Sequence, residues 1–267
     1  MISVIIPTYK PKDYLFKCLQ SLEGQTLDRE QFEIIIVLNG CGEPYASKIK
    51  EYIDQFLPNA YLFIESLGSV SNARNVGIDN SRGEYITFVD DDDYVSSQFL
   101  EKLLQKANEK TVSLSMSYSF NDGEQNYYEN ELSEEYKRRS PNGIQPLIKI
   151  RKYFSGPGMK LIHKDIIGDR RFNTNFSNGE DGLFNYLISD RIHFVAFSDQ
   201  DAVYYRRVRY DSMMGKNYHF FPRLLNVLRL YKEFIKIFIS SPSNYSFAFL
   251  CKKIMGGAHS IIDYKPR

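Results

Sequence analysis

The chain has 267 residues, with 34 Lys and Arg against 33 Asp and Glu and a formal net charge of +1. That length suits one large α/β domain whose core needs neither disulfides nor a structural metal, and the even charge balance gives no reason to expect a nucleic-acid partner. Cys18, Cys41 and Cys251 are far apart with no CxxC pair, there is no run of 18 apolar residues, and the opening MISVIIPTYK is too short an apolar stretch for a signal peptide, so the expectation is a cytoplasmic chain in a reducing compartment with no membrane span.

In chain order, residues 3–6 form a β-branched run stopped by Pro7, 13–22 carries apolar residues at helical spacing, and 33–38 is a continuous apolar run closed by Asn39-Gly40. The pattern then predicts a helix over 44–56, a strand over 60–64, a helix over 70–80 and a strand over 85–89 ended by four aspartates. A helix over 96–108, capped by Ser96 or Ser97, and a strand over 112–118 follow. Apolar strands alternating with helices imply an α/β fold whose mostly parallel sheet is covered on both faces. In such sheets ligands bind beyond the carboxyl ends of the strands. Thr8-Tyr9, Asn39 and the aspartates 90–93 each follow a strand, so all three are expected on one edge of the sheet.

Residues 121–150, rich in Asn, Glu and Tyr, break the pattern and read as an excursion or loop. Regular structure resumes at 156–163, a helix starts near Glu180, and strands are expected at 192–196 and 202–208. A helix over 218–239, a Ser-Pro-Ser break and a last helix near 245–255 complete the pattern.

Four groups of residues carry chemistry. Asp90-Asp91-Asp92-Asp93 places four mutually repelling carboxylates at a strand end, a cost that a divalent cation removes; Mg²⁺ or Mn²⁺ takes one or two carboxylates plus substrate phosphates. Asp90 and Asp92, two apart, project to the same side in extended backbone. A solvated acidic turn with Asp93 capping the next helix would carry the same sequence. Gly179-Glu180-Asp181 precedes an apolar helix, where a carboxylate is stabilised as the anion and can serve either as a cap or as a general base. Ser71-Asn72-Ala73-Arg74-Asn75-Val76-Gly77 offers Arg74 to a base carbonyl or a phosphate, or is an ordinary helix start with a surface arginine. Arg206, Arg207 and Arg209 suit a pyrophosphate as readily as they suit a solvated strand edge.

Taken together these segments resemble the family-2 glycosyltransferases, inverting enzymes of the GT-A fold. The resemblance runs in order over about residues 1–215: Val4-Ile5-Ile6-Pro7-Thr8-Tyr9-Lys10, Phe32 to Gly40 (FEIIIVLNG), Ser71 to Gly77 (SNARNVG), Gly83 to Tyr94 (GEYITFVDDDDY) and Gly179-Glu180-Asp181-Gly182-Leu183-Phe184. The resemblance implies a nucleotide-binding half over 1–120, an acceptor half over 121–215 and a helical extension over 216–267. It implies that Thr8 and Tyr9 contact the nucleotide base, with Asn39 and Leu38 standing where the family usually has aspartates. Arg74 would hold the base or its phosphates. Asp90 and Asp92 would bind Mn²⁺ or Mg²⁺, with Asp91 in the donor-binding set and Asp92 the direct ligand. Asp181 would be the catalytic base, with Glu180 the alternative. Arg206 and Ser212 would come over the diphosphate of a nucleotide-sugar donor, expected to be a UDP-sugar. The acceptor would be a saccharide or lipid-linked saccharide of bacterial surface polysaccharide. Two other classes share parts of this pattern. A nucleotidyltransferase would carry a glycine-rich loop after the first strand, where this chain reads Pro-Thr-Tyr-Lys-Pro, and a silent sugar-binding or partner subunit would have lost the DxD pair or the base.

The tail is basic. Residues 218–267 hold eight Lys and Arg and two Asp and Glu, and between 221 and 239 apolar residues recur at helical spacing with Arg229, Lys232 and Lys236 on roughly another face. Such a segment over 218–255 suits peripheral contact with a membrane, packing on the catalytic domain, or a homodimer interface.

Overall fold

The computed structural model describes residues 1–124, 126–209 and 220–262. Its first half alternates β1 (Ile2–Thr8), α1 (Asp13–Glu23), β2 (Phe32–Asn39), α2 (Tyr45–Phe56), β3 (Ala60–Glu65), α3 (Val70–Asp79) and β4 (Tyr85–Phe88). The short β5 (Tyr94–Val95), then α4 (Phe99–Leu104), β6 (Thr111–Leu114) and β7 (Met116–Asn121) follow. Beyond them lie β8 (Tyr127–Glu129), α5 (Glu131–Arg139), β9 (Lys160–His163), α6 (Lys164–Ile167), α7 (Glu180–Leu187), β10 (Phe194–Phe197) and β11 (Val203–Val208). Helices α8 (Phe220–Ser240) and α9 (Phe247–Ile262) close the described chain.

The central sheet has seven strands in the order β10-β6-β9-β4-β1-β2-β3. It is parallel from β4 through β3 and between β10 and β6, while β9 runs antiparallel to both of its neighbours. Along β1 and β2 the alternation of a strand sends Val4, Ile6, Ile34 and Ile36 to one core and Ile5, Ile35 and Val37 to another. The first core is covered by α1, α2 and α4, and the second by α3, α7 and the C-terminal helices. Gly77 lets α3 lie directly on β1: a Cβ there would sit 2.3 Å from Ile5 Cγ2. That close approach aims the first turns of α3 at the carboxyl edge of the sheet.

Three expectations differ from what forms. The single strand expected over 112–118 is two strands that part at Ser115, whose amide turns to the carbonyl of Met159 at 3.0 Å. β6 stays in the large sheet, while β7 enters a second, four-stranded sheet in the order β5-β11-β7-β8. The helix expected over 96–108 is shorter because Ser96 is tied to the strand edge; its amide donates to the Val203 carbonyl and its hydroxyl accepts from the Val203 amide. The excursion over 121–150 holds β8 and α5, capped at Asn130 by a reciprocal box with Ser133.

The C-terminal hairpin is built into the second core. Tyr186 of α7 meets Phe234 of α8 and both Tyr245 and Phe249 at ring-centroid distances of 5.4 to 5.5 Å, and Tyr245 donates to the Leu187 carbonyl. The inward side of α8 is Val227, Leu230, Phe234, Ile237 and Phe238. Phe221, Leu225, Leu228, Ile235 and Ile239 are exposed on the other side, interspersed with Arg229, Lys232 and Lys236. Of the apolar positions expected to form one stripe, 221, 225, 228, 235 and 239 form the exposed side and Phe238 faces the core, while Val227, Leu230, Phe234 and Ile237, outside that stripe, make the rest of the inward side.

Candidate active site

Parallel register brings the strand ends together. Thr8 aligns with Leu38 and Ile5 with Phe88, so Thr8, Asn39 and Asp90 emerge at one edge. Asn39 is buried and its Nδ2 donates to the Thr8 carbonyl at 2.7 Å. The Thr8 hydroxyl in turn donates to Asp91 Oδ2 at 2.5 Å. Tyr9 is half exposed on the rim.

Each aspartate of the run has its own partner. Asp90 accepts from Arg74 Nη2 at 3.0 Å. Asp92 pairs with Arg209 at 2.9 Å. Asp93 is buried and accepts from the Tyr204 hydroxyl at 2.7 Å and the Arg207 amide at 2.7 Å. Burial pushes the Asp91 carboxyl up to about 7, with Asp92 and Asp90 adding repulsion and Thr8 and Arg209 opposing it. Burial likewise raises Asp92, with Asp90 repelling and Arg209 offsetting, and holds Asp93 well above the usual carboxylate range. Carboxylates raised in this way regain their charge when a cation arrives. Among the described residues no group of three His, Cys, Asp or Glu is placed to hold a metal. A divalent cation at Asp90 and Asp92 would draw its remaining oxygens from substrate phosphate or water.

Arg74 is the centre of the arrangement. It is 3% exposed, and α3 carries it beneath the strand ends. Its Nη1 donates to Asp181 Oδ1 at 2.7 Å while Nη2 holds Asp90, and Glu180 Oε1 lies 3.7 Å from Nη1. The guanidinium expected to reach a base or phosphate is shared among three carboxylates in this structure. Asp181 sits in the first turn of α7, entered through Gly179 at φ 87°. Burial raises the Asp181 carboxyl; Arg74, Lys160 and Lys253 pull it down and Asp90 pushes it up. Burial and the neighbouring Asp181 push Glu180 up to about 7. Asp181 keeps 22% of its side chain exposed against 9% for Glu180, which makes Asp181 the more accessible of the two to a proton donor.

Arg206 is exposed on β11, whereas Arg207 and Arg209 are the arginines that reach the aspartates: Arg207 Nε donates to the Asp92 carbonyl at 2.8 Å. The period of a strand carries the signal, since alternate residues of 204–209 face alternate sides. Ser212 lies outside the described residues. Lys160 was not expected. It is wholly buried, donates to the carbonyls of Tyr153, Gly156 and Gly158, and is pushed down to about 7 by burial. Lys253 of α9 donates to the Phe154 carbonyl and is likewise pushed down to about 7 by burial. Neither lysine has a motif around it; only the fold brings them to the site.

The model of glycosyl transferase family 2 matches residues 3–171. The chain belongs to that family. Among family relatives, the glycosyltransferase GlyA of Streptococcus pneumoniae is 30% identical over 225 residues, covering 79% of this chain and 31% of its own. The Campylobacter jejuni GalNAc(5)-diNAcBac-PP-undecaprenol β-1,3-glucosyltransferase is 28% identical over 244 residues, covering 86% of this chain and 73% of its own. The chain therefore spans less than a third of GlyA. A crystal structure of Staphylococcus aureus TarS residues 1–349 in complex with UDP-GlcNAc superposes with a TM-score of 0.76 at 21% identity, covering 99% of this chain and 73% of that one. The fold is shared over essentially the whole described chain, C-terminal helices included.

Proposed function

We propose that this family-2 member is an inverting glycosyltransferase that moves a sugar from a UDP-sugar to an acceptor hydroxyl. The observation that carries the reading is the bridge through Arg74, which ties the strand-end carboxylate Asp90 to the helix-start carboxylate Asp181. Donor charge and acceptor proton would thereby be handled on the two sides of one guanidinium.

Residues 1–120 would bind the nucleotide. Asn39 uses its amide nitrogen on the Thr8 carbonyl, which leaves its carbonyl oxygen to accept from a uracil ring N–H. Tyr9 on the rim would lie against the base. Asp90 and Asp92 would hold Mg²⁺ or Mn²⁺, which when bound supplies positive charge to the diphosphate. Arg209, next to Asp92, would add charge to the same phosphates. Asp181 would accept the acceptor proton as the acceptor oxygen forms its bond to the anomeric carbon. The anomeric carbon–oxygen bond to the diphosphate breaks in the same step, and its electron pair leaves with UDP. A single displacement inverts the configuration. The acceptor half, 121–215, would shape the acceptor side. The undecaprenol-linked substrate named for the Campylobacter relative supports a lipid-linked saccharide as acceptor.

Asp181→Asn tests the reading. Transfer, or slow hydrolysis of the donor, should fall about 10²–10⁴-fold, the usual contribution of a positioned base, while UDP with Mn²⁺ should raise the melting temperature of variant and wild type alike. Loss of the UDP effect in the variant would make Asp181 a binding residue. Full activity in excess EDTA would remove the metal from the scheme.

A further inference from the structure

The turn that carries Asp181 has little local support. Helix α7 is eight residues long, and its N-cap is Gly179, which has no side chain to cap it. Beyond its ion pairs with Arg74, the turn is held by the C-terminal hairpin. Leu230 of α8 lies on Gly179 so closely that a Cβ there would be 2.5 Å from Leu230 Cδ1. Asn226 Nδ2 donates to the Asn178 carbonyl at 3.1 Å. From α9, the Lys253 ammonium reaches to 3.4 Å from where a Cβ on Gly182 would be, and it donates to the Phe154 carbonyl at 2.7 Å. The hairpin thus touches residues 178, 179 and 182, on both sides of Asp181.

Charge points the same way. The groups that face Asp181 are Arg74 from α3, Asp90 after β4, Glu180 on its own helix, Lys160 from β9 and Lys253 from α9. Arg74 is divided among three carboxylates. The Lys160 ammonium is held by three carbonyls. Among the described residues, Lys253 is the basic group that α9 brings to bear on Asp181.

We propose that Lys253 is a positioning residue for Asp181, so that the last helix of the chain completes the acceptor side of the active site. The proposal rests on the reading of Asp181 as the base. Lys253 would hold the first turn of α7 against the segment ending at Phe154 and turn the Asp181 carboxylate toward the acceptor, without touching the reacting atoms.

The test compares Lys253→Met, Lys253→Arg and Asp181→Asn in the full chain. It follows release of UDP from whichever of UDP-glucose, UDP-galactose and UDP-GlcNAc the wild type hydrolyses with Mn²⁺. Lys253→Met should lower kcat about 10-fold or more, the scale of a misplaced catalytic group, with the donor KM within about 2-fold of wild type. Lys253→Arg should recover most of kcat. If Lys253→Met does not fold, Lys253→Gln is measured in its place. Wild-type kcat in the Lys253 variant alongside an inactive Asp181→Asn would overturn this proposal alone. So would a joint change in kcat and KM that arginine does not rescue, which would mark a merely structural lysine. Wild-type kcat in Asp181→Asn would overturn the base assignment and this proposal with it.

Discussion

Arg74 shows what a single residue can and cannot disclose in advance. The SNARNVG segment marks a helix start with an arginine, and that much forms. A guanidinium that is only 3% exposed must be compensated within the protein, and its partners lie 16, 106 and 107 positions away, beyond any local pattern. Glu33 poses the same issue at the opposite edge of the sheet. It stands at the start of the apolar run of β2, yet it is buried and accepts from the Ser3 hydroxyl and from the Arg82 amide and guanidinium. Burial raises its carboxyl, but those hydrogen bonds and the Arg82 charge more than offset this, and the net shift is downward from 4.5. A carboxyl whose folded pKa is depressed stabilises the fold above its unfolded pKa and loses that contribution as pH falls through the folded value. Glu33→Gln should therefore cost about 2 kcal/mol near neutrality, the scale of hydrogen bonds to a charged group. The gap to wild type should shrink as pH falls below about 4. Urea midpoints at a series of pH values measure it, and a gap that stays constant down to pH 3 would show that the charge contributes nothing.

Elements with one strong period were legible, and those that needed a distant partner were not. β1, β2, β3 and α1 to α3 form within a residue or two of expectation, because apolar strands between amphipathic helices admit one layered solution. The break at Ser115 was invisible: 112–118 is uninterrupted β pattern, and what divides it is the Met159 carbonyl, 44 residues on. Asn130 had a local signal that reading 121–150 by composition passed over, namely Asn three before Ser, with Glu in the first helical turn and Lys137, Arg138 and Arg139 in the last. Its Oδ1 accepts from the amides of Leu132 and Ser133, and its Nδ2 donates to the hydroxyls of Ser117 and Ser119 on β7. The cap therefore also fastens α5 to the second sheet. Asn130→Ala should cost about 2 kcal/mol, at the upper end for a lost cap. Asn130→Asp, which keeps the acceptor and loses the donors, should recover the cap but not the bonds to β7, giving an intermediate value in chemical denaturation. Equal losses in the two variants would mean that the cap itself contributes nothing.

At the scale of the whole molecule, what remains is the outward side of α8 and α9. No helix among the described residues is long and apolar enough to cross a membrane. Even so, Phe221 is 73% exposed and Ile239 67%, with Leu225, Leu228, Ile235 and, on α9, Phe247 and Met255 also open. Arg229, Lys232, Lys236 and Lys252 are exposed among them. Apolar side chains with cations around them match a lipid surface bearing anionic headgroups, and each Lys or Arg near such a surface adds about 1 kcal/mol. The inward side of the same helices packs on Asn178, Gly179 and Gly182, so docking by the outer side would bring the acceptor half toward the lipid-linked acceptor proposed above. The protein should float with phosphatidylglycerol-rich vesicles at low salt, and remain in the soluble fraction with phosphatidylcholine alone. Binding to the anionic vesicles should weaken as salt screens the charges beyond about 10 Å. Leu228→Asp should abolish flotation because it removes apolar burial. Combined Arg229→Glu, Lys232→Glu and Lys236→Glu should abolish it because they invert the charge. Failure of the wild type to float at low salt would exclude the lipid surface. A dimer in sedimentation that Leu228→Asp dissociates would assign the same side to a second copy of the chain.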